Sequence, residues 1–265
     1  MKANVFIVCL MMALIMGLSG CNQQKNDQQN DQKDGPKNIL FDLSHSQCRG
    51  IEEGYETYPL VIPGYEKIAS EVGANLVLNE EAEITSELLK DVDVLVMLSP
   101  LSIQLQKNLS EVEKHALINF VKEGHSLIFF VDDDHRVNRA TYGANDVTRP
   151  FGIEIGAQAE VPGNCGAVSF ENEIFSGRLE IPYSGACLMK GGIPASVSME
   201  SGLQHSGYVV LPNGGKIFVA ADTMVGLLLG YPDGVRNDIS MKMATRWWGK
   251  DSYQYMKELI TWALK

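Results

Sequence analysis

Four apolar runs in this chain end in side chains able to carry protons or hold a polar ligand. Ile39-Leu40-Phe41 leads into Asp42, Ser44, His45, Ser46 and Gln47, and Val92 to Leu98 leads into Ser99-Pro100. Ser126 to Val131 leads into Asp132-Asp133-Asp134-His135, with Asn138 and Arg139 just beyond, and Lys216 to Ala221 leads into Asp222-Thr223. An imidazole titrates near neutrality, so His45 and His135 suit acid–base work or hydrogen bonding to a ligand. Asp42, Gln47, Ser99 and Asp132 would complete a polar binding edge around them. Each has a plainer reading. A polar residue after a strand is commonly a turn former or helix cap, and three adjacent carboxylates cannot all aim at one place.

Tests for specific chemistries exclude more than they support. Ser99 is followed by Pro-Leu-Ser, not by the Gly-rich turn of a nucleophile elbow. Cys48 lies near a strand end, but no downstream His falls at a comparable place to activate it. There is no Walker A loop, no GxGxxG, no CxxC and no HExxH, and a set made of Asp42, His45 and His135 has no diagnostic metal spacing. The sequence therefore assigns no catalytic residue, metal or cofactor. Tyr55, Tyr58 and Tyr231 lie in loops near the polar ends. Rings beside hydrogen-bonding groups suit a carbohydrate, whereas Trp247 and Trp248 read as loop packing.

The elements that would position these groups alternate. Strands are expected at Asn38 to Phe41, Asn75 to Leu78, Val92 to Leu98 and Ser126 to Val131. Helices are expected from Pro63 to Val72, over Ser86 to Lys90, and after Ser110. Ser110 and Glu113 form a capping box, with Val112, Ala116, Leu117, Phe120 and Val121 as its inward stripe. Continuous apolar strands joined by helices imply a mostly parallel sheet covered on both faces, with ligands bound where the strands' carboxyl ends meet. Thr141 to Gly207 is rich in Gly and Pro and gives an irregular β-rich second half, with short strands near 152–155, 167–170, 178–181 and 196–199. A hairpin over 208–221 follows, and a last helix over 252–264 is capped by Asp251 and Gln254.

Ahead of this lie two other segments. Lys2 precedes an apolar run from Val5 to Leu18, which ends Leu18-Ser19-Gly20-Cys21. The run is short for a spanning helix and reads as an export signal. Its end resembles the lipobox of bacterial lipoproteins, which implies that residues 1–20 are removed and that Cys21 carries acyl chains such as palmitate. The competing reading is an ordinary secretory signal. Each buried acyl methylene adds about 0.8 kcal/mol of membrane affinity. Asn22 stands where Asp would direct inner-membrane retention, so the resemblance implies a cell-envelope protein, in the outer membrane. Residues 21–38 form a polar tract in which Lys25, Lys33 and Lys37 balance Asp27, Asp31 and Asp34. It reads as a disordered tether with a span of roughly 20–25 Å. Residues 39–265 are then one domain. A formal net charge of −11 argues against nucleic acid as a partner. The partners expected are the membrane, through the anchor, and a small ligand or an envelope protein. Of the remaining cysteines, Cys165 and Cys187 are the expected disulfide, leaving Cys48.

Ile39 to Gln47, Asp93 to Pro100, Leu117 to Asp133 and Gly214 to Thr223 together resemble the class I glutamine-amidotransferase-like superfamily, in its non-catalytic branch related to gliding-motility and intraflagellar-transport domains. The resemblance implies a flavodoxin-like fold. Enzymatic members keep a Cys in a glycine elbow after the third strand and a late His and Glu. Here Ser99-Pro100 stands at the elbow and there is no late His-x-Glu. The expectation is a binding module. Its rival is a carbohydrate-active hydrolase that uses His45 with an Asp as acid–base pair. If His45 serves only a ligand, His45→Ala should weaken binding and leave the melting temperature nearly unchanged.

Overall fold

Four parallel strands carry the region that matters here. The computed structural model describes residues 35–46, 48, 60–100, 102–132, 136–160, 166–182, 186–229 and 251–265, with 158–160 and 186 described through their backbone alone. In chain order the elements are β1 (Asn38–Asp42), α1 (Leu43–Ser46), α2 (Val61–Glu71), β2 (Asn75–Asn79), α3 (Ser86–Leu89), β3 (Val94–Leu98), α4 (Glu111–Lys122) and β4 (Ser126–Phe130). There follow α5 (Arg139–Tyr142), α6 (Ala144–Thr148), β5 (Glu154–Glu160), β6 (Gly166–Ser169), β7 (Glu180–Pro182), β8 (Ala186–Lys190), β9 (Ile193–Ser198), β10 (Gln204–Val210), β11 (Lys216–Ala220), α7 (Met224–Leu227) and α8 (Ser252–Ala263).

Nine strands form one sheet in the order β2-β1-β3-β4-β11-β10-β9-β6-β7, and β5 pairs with β8 apart from it. From β2 to β11 every pairing is parallel; from β11 to β7 every pairing is antiparallel. The architecture is mixed α/β, a large sheet flanked by helices. The order reverses between β1 and β3, because β2 lies on one side of β1 and β3 on the other. That junction is where open α/β sheets leave a crevice.

Strand alternation divides the core in two. Ile39, Phe41, Val94, Val96, Leu98, Ile128 and Phe130 point to the layer formed with α2 and α8. Leu40, Leu95, Met97, Leu127 and Phe129 point to the layer formed with α4, α5 and α6. Both faces of β3 and β4 are fully buried, which explains their unbroken apolar sequence. Helix α4 begins with the expected capping box: Ser110 Oγ accepts from Glu113 N at 3.2 Å, and Glu113 Oε2 accepts from Ser110 N at 2.9 Å. Ala116, Leu117, Phe120 and Val121 are buried as expected, but Val112 is 53 % exposed and Glu113 takes the inward position instead. The hairpin β10–β11 packs so close to the end of α4 that a Cβ on Gly215 would lie 1.9 Å from the Val121 carbonyl oxygen.

Several boundaries and caps differ from the sequence reading. Asn38, read both as the end of the tether and as the start of the first strand, pairs with Asn75 in β1, which extends one residue further than expected, to Asp42. Strand β8 was not expected, since its Ala-Cys-Leu-Met-Lys has no clean alternation of polar and apolar residues. Asp251 does not cap α8 with its side chain; its Oδ2 accepts from Glu180 N at 2.8 Å and joins the helix to β7. Gln254 donates to Glu258 instead of closing a box. The signal, Cys21 and all of the tether ahead of Gly35 lie outside the described residues, as do Tyr55, Tyr58, Tyr231, Trp247, Trp248 and Cys165. The expected Cys165–Cys187 pair therefore falls outside them too; Cys187 is buried, with Sγ 3.7 Å from the Asp132 carbonyl oxygen. Among the described residues no helix is long and apolar enough to cross a membrane.

Candidate functional site at the strand tips

Because β1, β3, β4 and β11 are parallel neighbours, Asp42, Ser99, Asp132 and Asp222 arrive at one edge of the sheet. The structure brings the tips together but does not send their side chains to one place.

The first cluster lies in the α4 layer. Asp42 and His45 are both fully buried. Asp42 closes β1, and the single turn α1 swings His45 back over it, so that Nδ1 donates to Asp42 Oδ2 at 2.7 Å. Asp42 Oδ1 accepts from Ser44 Oγ at 2.7 Å, Asn79 Nδ2 at 2.9 Å and Ser44 N at 3.2 Å. The other side of the imidazole faces α4: Nε2 lies 3.4 Å from Glu113 Oε1, at ion-pair distance without the alignment of a hydrogen bond. Glu113 also accepts from Ile84 N at 3.1 Å, and Lys107 Nζ stands 3.9 Å from it. One carboxylate thus caps α4, pins the segment before α3 and faces His45. Beside them the Tyr142 hydroxyl is buried with no hydrogen-bond partner among the described residues.

Electrostatics follow from this geometry. Burial pushes His45 toward the neutral form, but Asp42 and Glu113 outweigh it and hold the ring's pKa above the ordinary value. Burial pushes Glu113 up, and it is overcome by His45 and by the N–H groups of Ser110 and Ile84, which bring it down to about 2. Burial, reinforced by the charges of Asp42 and Glu113, drives the Tyr142 phenol well above its usual range. The cluster is a buried imidazole held between the carboxyl groups of Asp42 and Glu113.

The second cluster lies toward the α8 layer. Asp132 N donates to Ser99 Oγ at 2.9 Å, while the buried Asp132 carboxylate accepts from Thr223 Oγ1 and pairs with Arg136 Nη1 at 3.3 Å. Arg136 Nη1 also lies 3.4 Å from Met224 Sδ, in the α8-side core. Asp222 Oδ1 accepts from Met224 N at 2.7 Å and starts α7, the turn-forming role. The parity of β1 and β4 explains the division. Asp42 follows Phe41 and falls on the side of Leu40, whereas Asp132 follows Val131 and falls on the side of Phe130.

Of the residues read as a binding edge, Asp42 and His45 are in contact, and Ser99 and Asp132 are in contact. Gln47 and His135 lie outside the described residues. Sequence reasoning missed Asn79, Tyr142 and the second role of Glu113. Asn79 is a polar residue ending β2, so the strand-end rule applied to that strand would have found it. Glu113 was visible only as a cap, because nothing in the spacing shows that the start of α4 meets His45 on α1. Of the nucleophile candidates, Ser99 Oγ accepts from the Asp132 backbone amide at 2.9 Å, and the buried Cys48 thiol lies 3.8 Å from Ser46 Oγ. Among the described residues no three His, Cys, Asp or Glu side chains are arranged to hold a metal ion.

The chain matches no family model and no curated protein. Among solved structures, a cytoplasmic protein of Salmonella typhimurium, STM3548, superposes with a TM-score of 0.50 at 11% identity, over 86% of this chain and 97% of that one. A β-galactosidase of Rahnella sp. R3 gives 0.49 at 12% identity over 86% of this chain, and the exo-β-1,4-mannosidase Op5Man5 of Opitutaceae bacterium strain TAV5 gives 0.45 at 12% over 72%. This chain spans 30% of the galactosidase and 32% of the mannosidase. At such identities the likeness to STM3548 is one of α/β fold alone.

Proposed function

We propose that this is a lipid-anchored protein of the bacterial cell envelope, in the outer membrane, whose flavodoxin-like, amidotransferase-like domain binds a small ligand or a protein partner without catalysis of its own. The observation that carries the non-catalytic reading is the closure of His45. A general acid or base must come within hydrogen-bond reach of its substrate. His45 is 0 % exposed, and its two nitrogens face Asp42 and Glu113. Ser99 is likewise buried, and its Oγ accepts from Asp132 N. The sheet order 2-1-3-4-11 through the parallel half supports the flavodoxin-like assignment.

The hydrolase reading has one observation in its favour. Asp42 holds His45 Nδ1 at 2.7 Å, the orientation an acid–base histidine needs. Incubation of the full-length protein with a glycan panel separates the two, with product and binding measured together. Binding without turnover supports the module, and turnover abolished by His45→Gln overturns it. The anchor is tested separately: Cys21→Ser should abolish palmitate labelling and move the protein from the membrane to the soluble fraction.

A further inference from the structure

A second recess opens on the outer side of α5 and α6, away from the tip clusters. It has a volume of about 410 Å³, in the range of sites for small molecules. Its wall is built from α5, the turn at Gly143, α6 and β5. Gly143 makes that turn at φ +89°, and there Tyr142 points inward to the buried core while Arg139 and Ala140 line the recess. Asn145 fixes the far wall, since its Oδ1 accepts from Ile155 N and its Nδ2 donates to Ile155 O, both at 2.8 Å. Immediately beyond, β5 bulges: Ile155 pairs with Met189 and Gln158 with Cys187, so Gly156 and Ala157 stand opposite Leu188 alone. A bulge takes backbone amide and carbonyl groups out of the ladder, and the bulged residues Gly156 and Ala157 line the recess.

The charges in the wall are paired. Arg149 Nη2 donates to Glu154 Oε1 at 2.7 Å, Lys114 Nζ to Asp146 Oδ2 at 3.0 Å, and Arg139 is engaged as well. An ionic ligand would have to draw one member out of a pair. A neutral ligand need not, because pairing leaves most hydrogen-bonding capacity unused. A guanidinium has five donors and a carboxylate about four acceptor positions, while the Arg149–Glu154 contact uses one of each. Two adjacent hydroxyls fit such a pair, one accepting from Arg149 and its neighbour donating to Glu154. The exposed Ala140 and Ala157 side chains offer small apolar contact for C–H groups.

We propose that this recess binds a neutral sugar residue through a vicinal diol held by Arg149 and Glu154, with the β5 bulge as floor. The site is independent of the strand tips and of the lipid anchor.

The test is saturation-transfer NMR and titration calorimetry on the full-length protein in a sugar-free detergent. The probes are glucose, galactose, mannose and N-acetylglucosamine, against glucuronate and inorganic phosphate. The expected result is saturable binding of at least one neutral sugar, weakened tenfold or more by Glu154→Gln and by Ala157→Trp, which fills the recess. Both positions are exposed, so the fold should survive either change. Absence of saturable neutral-sugar binding overturns the proposal. So does undiminished binding in both variants, and so does binding of phosphate or glucuronate in preference to every neutral sugar.

Discussion

Two fully buried histidines stand in opposite halves of the sheet, and their surroundings differ in kind. In the parallel half, His45 sits between two carboxylates. In the antiparallel half, His205 on β10 faces hydroxyls. Its Nδ1 is 3.0 Å from Ser196 Oγ, which lies 2.5 Å from Ser206 Oγ, and Ser206 Oγ is 3.1 Å from the Tyr255 hydroxyl on α8. A register shift between Gln204 and Ser206 lets both His205 and Ser206 reach Ser196. Burial drives the Tyr255 phenol up to about 12, with hydrogen bonds to Ser196 and Ser206 opposing it. Both clusters join a strand to a helix. One does so through two carboxyl groups on an imidazole, where removing one buried charged partner is costly, and the other through hydroxyl groups, where the loss of one hydrogen bond is modest.

Breaking the ionic cluster should show this most clearly. His45→Ala leaves Asp42 and Glu113 buried without their cation and should cost about 3–5 kcal/mol in urea unfolding. Burial thus replaces the expectation of an unchanged melting temperature. A loss below about 1 kcal/mol would mean that the carboxylates are rehydrated on truncation.

The pH dependence comes next. His45 is raised above its unfolded value of 6.5, so its stabilisation is complete below that pH and is lost as pH rises through the folded value. Glu113 is lowered from 4.5 to about 2, so its stabilisation is complete above 4.5 and is lost as pH falls toward 2. Urea midpoints should therefore be highest between about pH 4.5 and 6.5 as far as this cluster decides. Glu113→Gln should flatten both limbs, because the two shifts share one interaction. An unchanged alkaline limb in that variant would assign the limb to Asp42 alone.

The neutral cluster should respond less. Tyr255→Phe removes a hydroxyl bonded to Ser206 and should cost about 1 kcal/mol with no change in the pH profile. A loss as large as that of His45→Ala would erase the distinction drawn here. The smallest effect belongs to Val112→Thr on the exposed face of α4, within about 0.5 kcal/mol. A larger loss would show that this face is covered by something in solution.

Legibility in the sequence divides along the same line. In the parallel half, β1, β3, β4 and α4 were readable because each carries a complete local signal: an unbroken apolar run for strands buried on both faces, or a capping box followed by 3.6-residue spacing; the half-exposed edge strand β2 was readable from its short apolar run between two asparagines. In the antiparallel half β10 begins at Gln204 instead of Tyr208, and β8, paired with β5 apart from that sheet, went unseen, since short strands with bulges have no clean period of two. The Ser110–Glu113 box was right in every bond, yet it hid the residue's larger role. Glu113 reads as a cap because three residues separate it from Ser110, and nothing local places it against His45, 68 positions earlier in the chain.

The sequence by itself determined the elements of the parallel half and the arrival of Asp42, Ser99, Asp132 and Asp222 at strand ends, since apolar patterning and polar termination are properties of contiguous residues. Only the tertiary structure decided which tips meet. The alternation of each strand sends Asp42 toward α4 and Asp132 toward α8, and the N-terminal turn of α4 puts a second carboxylate on His45. Those contacts join residues far apart in the chain, and their partners are fixed by how layers pack, not by spacing along any one segment.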